Sequence, residues 1–156
     1  MSLEIERKFL VTGHFKEYSV KSYRIAQGYL ANGGKNTVRI RIRDHEGFIT
    51  IKGPSCDNGL SRFEWEKRIP FEEASQLLEL SVTPVIDKTR YLVPFKGHIW
   101  EVDEFYGDNA GLTVAEIELQ DGNEPFDIPD WAGEEVTPDR RYSNLSLTLN
   151  PYKNWE

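Results

Sequence analysis

The sequence predicts a mainly β (α+β) fold, one antiparallel sheet with a few flanking helices. Three observations predict it. Apolar and polar residues alternate with period two through a series of short runs. Turn-forming pairs of the kind that close hairpins separate those runs. Helical spacing is confined to a few short stretches.

The elements follow in order along the chain. In Glu4-Ile5-Glu6-Arg7-Lys8-Phe9-Leu10-Val11, one face carries Glu4, Glu6 and Lys8. The other carries Ile5, Phe9 and Val11, with Arg7 as the exception. A short helix is expected near Phe15 to Tyr18. Thr37 to Arg43 alternates strictly, Val38, Ile40 and Ile42 against Arg39, Arg41 and Arg43. Ile49 and Ile51 oppose Thr50 and Lys52; Phe63 and Trp65 oppose Glu64 and Glu66. A helix is expected over Phe71 to Leu80, beginning just after Pro70. Trp100 and Val102 oppose Glu101 and Asp103, and Ala115, Ile117 and Leu119 oppose Glu116 and Glu118. A last helix is expected around Ser143 to Leu149, ending before Pro151. Asn32-Gly33-Gly34, Asp44-His45-Glu46-Gly47, Lys96-Gly97 and Asp121-Gly122 read as hairpin-type links. Short strands joined this way form an antiparallel sheet rather than βαβ units. One domain is expected to span residues 1–156.

Composition narrows the function. The chain has 156 residues, 38% hydrophobic and 29% charged, which suits a folded domain rather than a disordered one. Nineteen basic against 26 acidic residues give a net charge of −7. That argues against a general nucleic-acid or membrane-surface binder. The lone Cys56 excludes an intramolecular disulfide and a cysteine-cluster metal site. No apolar run reaches the ~18 residues of a membrane helix. The expected setting is the cytoplasm.

The charges are sorted by strand. Carboxylates recur two apart in Glu4/Glu6, Glu64/Glu66, Glu101/Asp103 and Glu116/Glu118. Cations recur two apart in Arg39/Arg41/Arg43 and Lys88/Arg90. Like charges so spaced share a strand face and repel, which an ordinary solvated face avoids. About eight strands can close into a barrel with an interior. Were the charged faces turned inward, acids and bases would share one lumen, at a large cost if unpaired. A divalent metal on the carboxylates and a polyanion on the cations would lower that cost. The alternation itself leaves open which face points inward.

Glu4-Ile5-Glu6-Arg7-Lys8 resembles the Glu-x-Glu-x-Lys signature of the CYTH superfamily, the triphosphate tunnel metalloenzymes. Arg39-x-Arg41, Lys52, Glu64-x-Glu66, Lys88-Thr89-Arg90-Tyr91, Asp103 and Glu116-x-Glu118 follow in the family's order. Glu135-Val136-Thr137 and Arg141-Tyr142-Ser143-Asn144 resemble its C-terminal segment. The resemblance implies an eight-stranded antiparallel β-barrel, a charged tunnel that binds triphosphate and Mg²⁺ or Mn²⁺.

On that reading Glu4 and Glu6 share an ion, since carboxylate oxygens are the ligands these metals take. Glu118 is implied as a third ligand. Glu64, Glu66, Asp103 and Glu116 are expected to hold a second ion, orient water or pair with the lumen cations. Lys8, Arg39, Arg41, Lys52 and Arg90 would clamp phosphate oxygens, Arg through its bidentate fork. Lys88 would neutralise charge or act as a base, with Tyr29 as a hydrogen-bonding partner. Arg43 is expected as a solvated strand end; Arg62 and Arg68 carry no assigned role. The leading function is hydrolysis of inorganic tripolyphosphate. The alternatives are a thiamine triphosphatase, a nucleoside triphosphatase, a class IV adenylate cyclase, or a non-catalytic polyphosphate-binding module.

Overall fold

Nine strands run along the chain in the computed structural model, which describes residues 2–32, 36–56 and 60–155. They are β1 (Ser2–Val11), β2 (Lys21–Ala31), β3 (Thr37–Arg43), β4 (Glu46–Cys56), β5 (Ser61–Ile69), β6 (Ile86–Phe95), β7 (His98–Phe105), β8 (Thr113–Leu119) and β9 (Ala132–Glu135). Eight of them close into an antiparallel barrel in the order β1-β5-β4-β3-β2-β6-β7-β8. β1 makes the closure by pairing with β5 through Ser2 to Ile5 and with β8 through Ile5 to Leu10. β9 takes over the edge of β1 that β5 leaves, pairing at Phe9 and Val11. β9 thus covers the part of the β1 edge beyond its pairing with β5.

Register decides which face is the lumen. Glu6 sits opposite Glu118, Lys8 opposite Glu116, and Glu116 opposite Glu101. Arg90 sits opposite Asp103, Tyr29 opposite Arg39, and Lys52 opposite Glu64. The charged faces therefore turn inward, and the apolar core lies outside the barrel wall. Phe9, Trp100, Val102, Ala115 and Ile117 form that core with Phe15 and Trp131. Its rings meet edge to face, as Phe9 and Trp100 do at 5.3 Å. Arg7, the exception on the outer face, pairs there with Glu135 of β9 and lies 4.8 Å over the Phe126 ring.

Two α-helices among the described residues complete the fold. α1 (Phe71–Leu78) lies over β2, β3 and β4. Glycine admits it closely: a Cβ on Gly47 would fall 2.5 Å from that of Ala74, and one on Gly28 3.2 Å from Leu78 Cδ1 and 2.4 Å from Ser81 Oγ just beyond the helix. α2 (Asn144–Leu149) is capped by Ser143 Oγ, which accepts from the Ser146 N–H. Its Leu147 packs on Ile86, Phe105 and Val114, which share strand faces with Lys88, Asp103 and Glu116. α2 thus plugs one end of the lumen, where the charged face turns apolar. Leu3, Ile51, Phe63 and Trp65 stay 40–48% exposed on the outer wall of β1, β4 and β5. No helix among the described residues is long and apolar enough to cross a membrane.

Several boundaries differ from the sequence expectation. α1 ends at Leu78 rather than Leu80, because the Leu80 N–H bonds three residues back to Leu77 and tightens the turn. The expected helix at Phe15 is a single 3₁₀ turn over Lys16–Tyr18. β2 escapes the alternation rule: its inner face mixes Tyr23, Ile25, Gln27 and Tyr29, and its outer face carries the Gly28 that admits α1. Asp121-Gly122 is not a hairpin. Residues 120–131 contain Pro125 and Pro129, which break strand pairing, and the chain returns to β1 instead of β8. The Asp44-His45 and Lys96-Gly97 turns do join hairpins, with positive φ at Asp44, Lys96 and Gly97. Gly33 and Gly34 of the remaining link lie outside the described residues.

Candidate active site in the lumen

One wall of the lumen is acidic. β1 projects Glu4 and Glu6 inward, and β8 projects Glu116 and Glu118. Glu4 accepts a 2.8 Å hydrogen bond from Lys52 Nζ, which lies 3.6 Å from Glu64. Burial, and then the neighbouring Glu64, push the Glu4 carboxyl above its ordinary range against the pull of Lys52. Burial and Glu6 push Glu116 up, and burial and Glu4 push Glu118 up. Lys8 sits amid this wall, 3.8 Å from Glu6. Burial pulls its ammonium down, but Glu6, Glu116 and Glu4 outweigh burial and hold it above the usual lysine range.

Burial is the first cause of each rise, and neighbouring carboxylates add to it. A hard divalent cation fits the set in kind, since all its donors are carboxylate oxygens. Among the described residues no three Asp, Glu, His or Cys side chains are gathered closely enough to hold an ion as they stand. Glu4 is occupied by Lys52.

The middle of the lumen is a buried ion cluster. Asp103, 2% exposed, accepts from Arg90 Nε at 2.8 Å and Nη2 at 2.9 Å, and from Lys88 Nζ at 2.7 Å. Burial pushes this carboxyl up, but Arg90 and Lys88 hold it well below the ordinary range. Burial lowers Arg90, yet Asp103 and Glu101 more than reverse that; Glu101 lies 3.3 Å away. Lys88 is wholly buried. Burial, aided by Arg90 and Arg41, pulls its ammonium to about 7 in spite of Asp103. A second bond at 2.9 Å runs from Lys88 Nζ to Asn144 Oδ1 at the start of α2.

The opposite wall is cationic. Arg39 Nη2 donates to Thr50 Oγ1 at 3.3 Å and lies 3.8 Å from Glu66; Thr50 in turn donates to Glu66 at 2.7 Å. Arg41 Nε donates to Gln27 Oε1 at 2.9 Å. Burial, then Arg39 and Arg90, pull Arg41 to about 9. Tyr29 is buried on this wall beside Arg39, its backbone N–H bonded to Ser81 Oγ.

Strand parity turns the side chains singled out from the sequence for metal, phosphate or catalysis towards the lumen, though among the described residues the carboxylates are not gathered into one metal-binding group. Arg43 is not a solvated strand end. It is half-buried, 3.1 Å from Glu46, with its guanidinium over Tyr23 at 4.6 Å and Phe48 at 5.0 Å. Tyr23 and Phe48 reach it because they share its face on the two adjacent strands. Arg62 Nε donates to the Gly53 carbonyl, and Arg68 pairs with Glu46 at the exposed end. Sequence reasoning missed Gln27, Thr50 and Asn144. Parity could have found Gln27, two residues before Tyr29 on the same face. Asn144 lies in the segment that resembles the family's C-terminal one, but nothing local gives it a role, since it meets Lys88 across 56 positions.

Known proteins share this architecture. The model of the CYTH domain matches residues 2–149. An inorganic triphosphatase of Acetivibrio thermocellus is 48% identical over 157 aligned positions, covering 100% of this chain and 99% of that protein. An inorganic triphosphatase of Nitrosomonas europaea is 36% identical, covering 94% and 97%. The crystal structure of the inorganic triphosphatase NE1496 superposes with a TM-score of 0.69 at 33% identity, covering 96% of each chain. By fold, lumen and sequence alike, the chain belongs to the CYTH domain family.

Proposed function

We propose that the protein is a divalent-metal-dependent triphosphatase that hydrolyses a phosphoanhydride bond of inorganic tripolyphosphate in the barrel lumen. The observation that carries the reading is the lumen itself: a closed barrel with carboxylates on one wall and buried arginines on the other. The names of both curated relatives, inorganic triphosphatase, support the same substrate. The reaction adds one water and yields orthophosphate and pyrophosphate. Residues 1–156 act as one domain. The proposed setting is the cytoplasm, with no nucleic-acid or membrane partner.

Lys8, Arg39, Arg41, Lys52 and Arg90 bind the phosphate oxygens. The substrate competes with Glu66 for Arg39 and with Glu4 for Lys52, so binding exchanges internal ion pairs for phosphate pairs. Glu4, Glu6 and Glu118 hold Mg²⁺ or Mn²⁺, with Glu64, Glu66 and Glu116 available to a second ion or to water. Such an ion would neutralise phosphate charge and lower the pKa of a bound water. Asp103 fixes the directions of Arg90 and Lys88. Lys88 would neutralise charge that develops on the departing phosphate or, in its neutral form, take a proton from water. Tyr29 offers a hydroxyl beside Lys8 and Arg39.

A product assay tests the reading. Tripolyphosphate, ATP and thiamine triphosphate are offered side by side with Mg²⁺ and then Mn²⁺. Metal-dependent orthophosphate release, fastest from tripolyphosphate, is expected. Cyclic AMP from ATP would make the protein a cyclase. Preference for thiamine triphosphate would displace the proposed substrate. Tight tripolyphosphate binding without turnover would make it a binding module.

A further inference from the structure

The lumen holds a group that no role above uses. Gln27 lies on β2 with its side chain inward, opposite Arg41 on β3 and Ile86 on β6. It is wholly buried. Its Oε1 accepts from Arg41 Nε at 2.9 Å. That bond fixes the amide orientation, because the flipped amide would set its NH₂ against the Arg41 N–H. The Nε2 donor is then buried with no partner among the described residues. A buried amide is rarely left so, since an unmade hydrogen bond is costly.

The neighbours say what would satisfy it. On the adjacent strand Arg39 Nε is likewise buried and unpartnered. Arg41 has its Nε occupied by Gln27, and its outer nitrogens carry no hydrogen bond among the described residues. Burial and the flanking guanidiniums of Arg39 and Arg90 depress Arg41. The unmet groups are all donors, and the local charge is positive. The missing partner is an acceptor carrying negative charge.

We infer that Gln27 is a substrate-binding residue: Nε2 donates to a non-bridging oxygen of the phosphoryl group that Arg41 clamps. Gln27 acts twice there. Its carbonyl occupies Arg41 Nε and leaves the outer guanidinium edge for a bidentate phosphate. Its amide NH₂ adds a neutral donor without adding to the repulsion among the arginines. The inference rests on the triphosphatase reading and deepens it, because it assigns a contact at that same site.

The test uses Gln27→Glu, Gln27→Met, Arg41→Ala and the double variant Gln27→Met/Arg41→Ala. Glutamate keeps an acceptor for Arg41 Nε and loses the donor. Methionine loses both at similar volume and without charge. KM for tripolyphosphate and metal-free tripolyphosphate affinity by calorimetry are measured for each. Both single Gln27 variants are expected to bind about 10- to 100-fold more weakly, the range of one hydrogen bond to a charged group. Thermal melts check that each variant is folded, because Gln27→Met removes the unmet donor and at the same time leaves Arg41 Nε without its acceptor. Gln27→Met should still weaken binding in the Arg41→Ala background. Wild-type affinity in either single variant overturns the inference. Loss of the methionine effect in the Arg41→Ala background also overturns it, leaving Gln27 only an orienter of Arg41. A wild type that neither binds nor hydrolyses tripolyphosphate overturns the triphosphatase reading first. Normal wild-type turnover with unaffected variants overturns only the role of Gln27.

Discussion

Replacing Asp103 with asparagine removes one negative charge from the centre of the barrel and leaves the side chain's shape intact. Asp103 is 2% exposed, and its two oxygens accept three hydrogen bonds from Arg90 and Lys88. Glu101, at 3.3 Å from Arg90 and 36% exposed, is a poor substitute. Removing one partner from a buried ion pair costs about 3–5 kcal/mol, because the remaining charges are left uncompensated. That is a large part of the roughly 5–15 kcal/mol that holds a domain folded. At roughly 2–4 °C per kcal/mol for a chain of this size, the melting temperature falls by about 6–20 °C. Urea denaturation and thermal melts, each without metal or phosphate, measure it. Asp108→Asn is the control: its pair with Lys153 is 58% exposed on both sides, and its loss changes stability by less than about 0.5 kcal/mol. An Asp103→Asn protein within about 0.5 kcal/mol of wild type would refute the assignment of Asp103 as the anchor of this cluster.

Further outcomes follow from other groups. Glu4→Gln and Glu6→Gln each lose metal-dependent turnover by about 100-fold or more while melting within a few degrees of wild type, checked by phosphate release over a metal titration. Arg39→Ala raises KM or lowers kcat for tripolyphosphate by about 10- to 100-fold in steady-state kinetics, the scale of a lost charge-assisted phosphate bond. Outside the lumen, hydrogen bonds from Arg7 hold the Glu135 carboxyl below its ordinary value. A depressed folded pKa stabilises the protein above the unfolded value near 4.3 and ceases to do so as pH falls through the folded value. Glu135→Gln is therefore less stable by about 1 kcal/mol at pH 7, and the gap narrows as pH falls below the unfolded value, in denaturation curves taken across that range.

The barrel's charged strands were legible because each alternates strictly, and alternation reports which residues share a face. Glu4, Glu6 and Lys8 show this, as do Arg39 and Arg41. Alternation does not say which face is inside. Composition points the other way, since charged faces ordinarily meet water. Inversion becomes stable here because Phe9, Trp100, Phe126 and Trp131 cover the outer wall. That cover comes partly from residues 120–131, whose irregular path carries no period to read. β2 stayed hidden because it serves two constraints at once, a mixed inner wall and a glycine contact with α1. Asn144 stayed hidden because only tertiary closure brings α2 to Lys88. Arg43 was misread because its aromatic partners lie on neighbouring strands, and strand registers follow from closure rather than from the run itself.

The central claim is that the lumen cations bind triphosphate. A crystal grown without divalent metal and soaked in tripolyphosphate tests it most directly. Difference density for three linked phosphoryl groups between Arg39, Arg41 and Arg90, with Glu66 turned away from Arg39, is the predicted result. An unchanged lumen, with tripolyphosphate bound only on the outer wall or at the exposed Arg68 end, would contradict it.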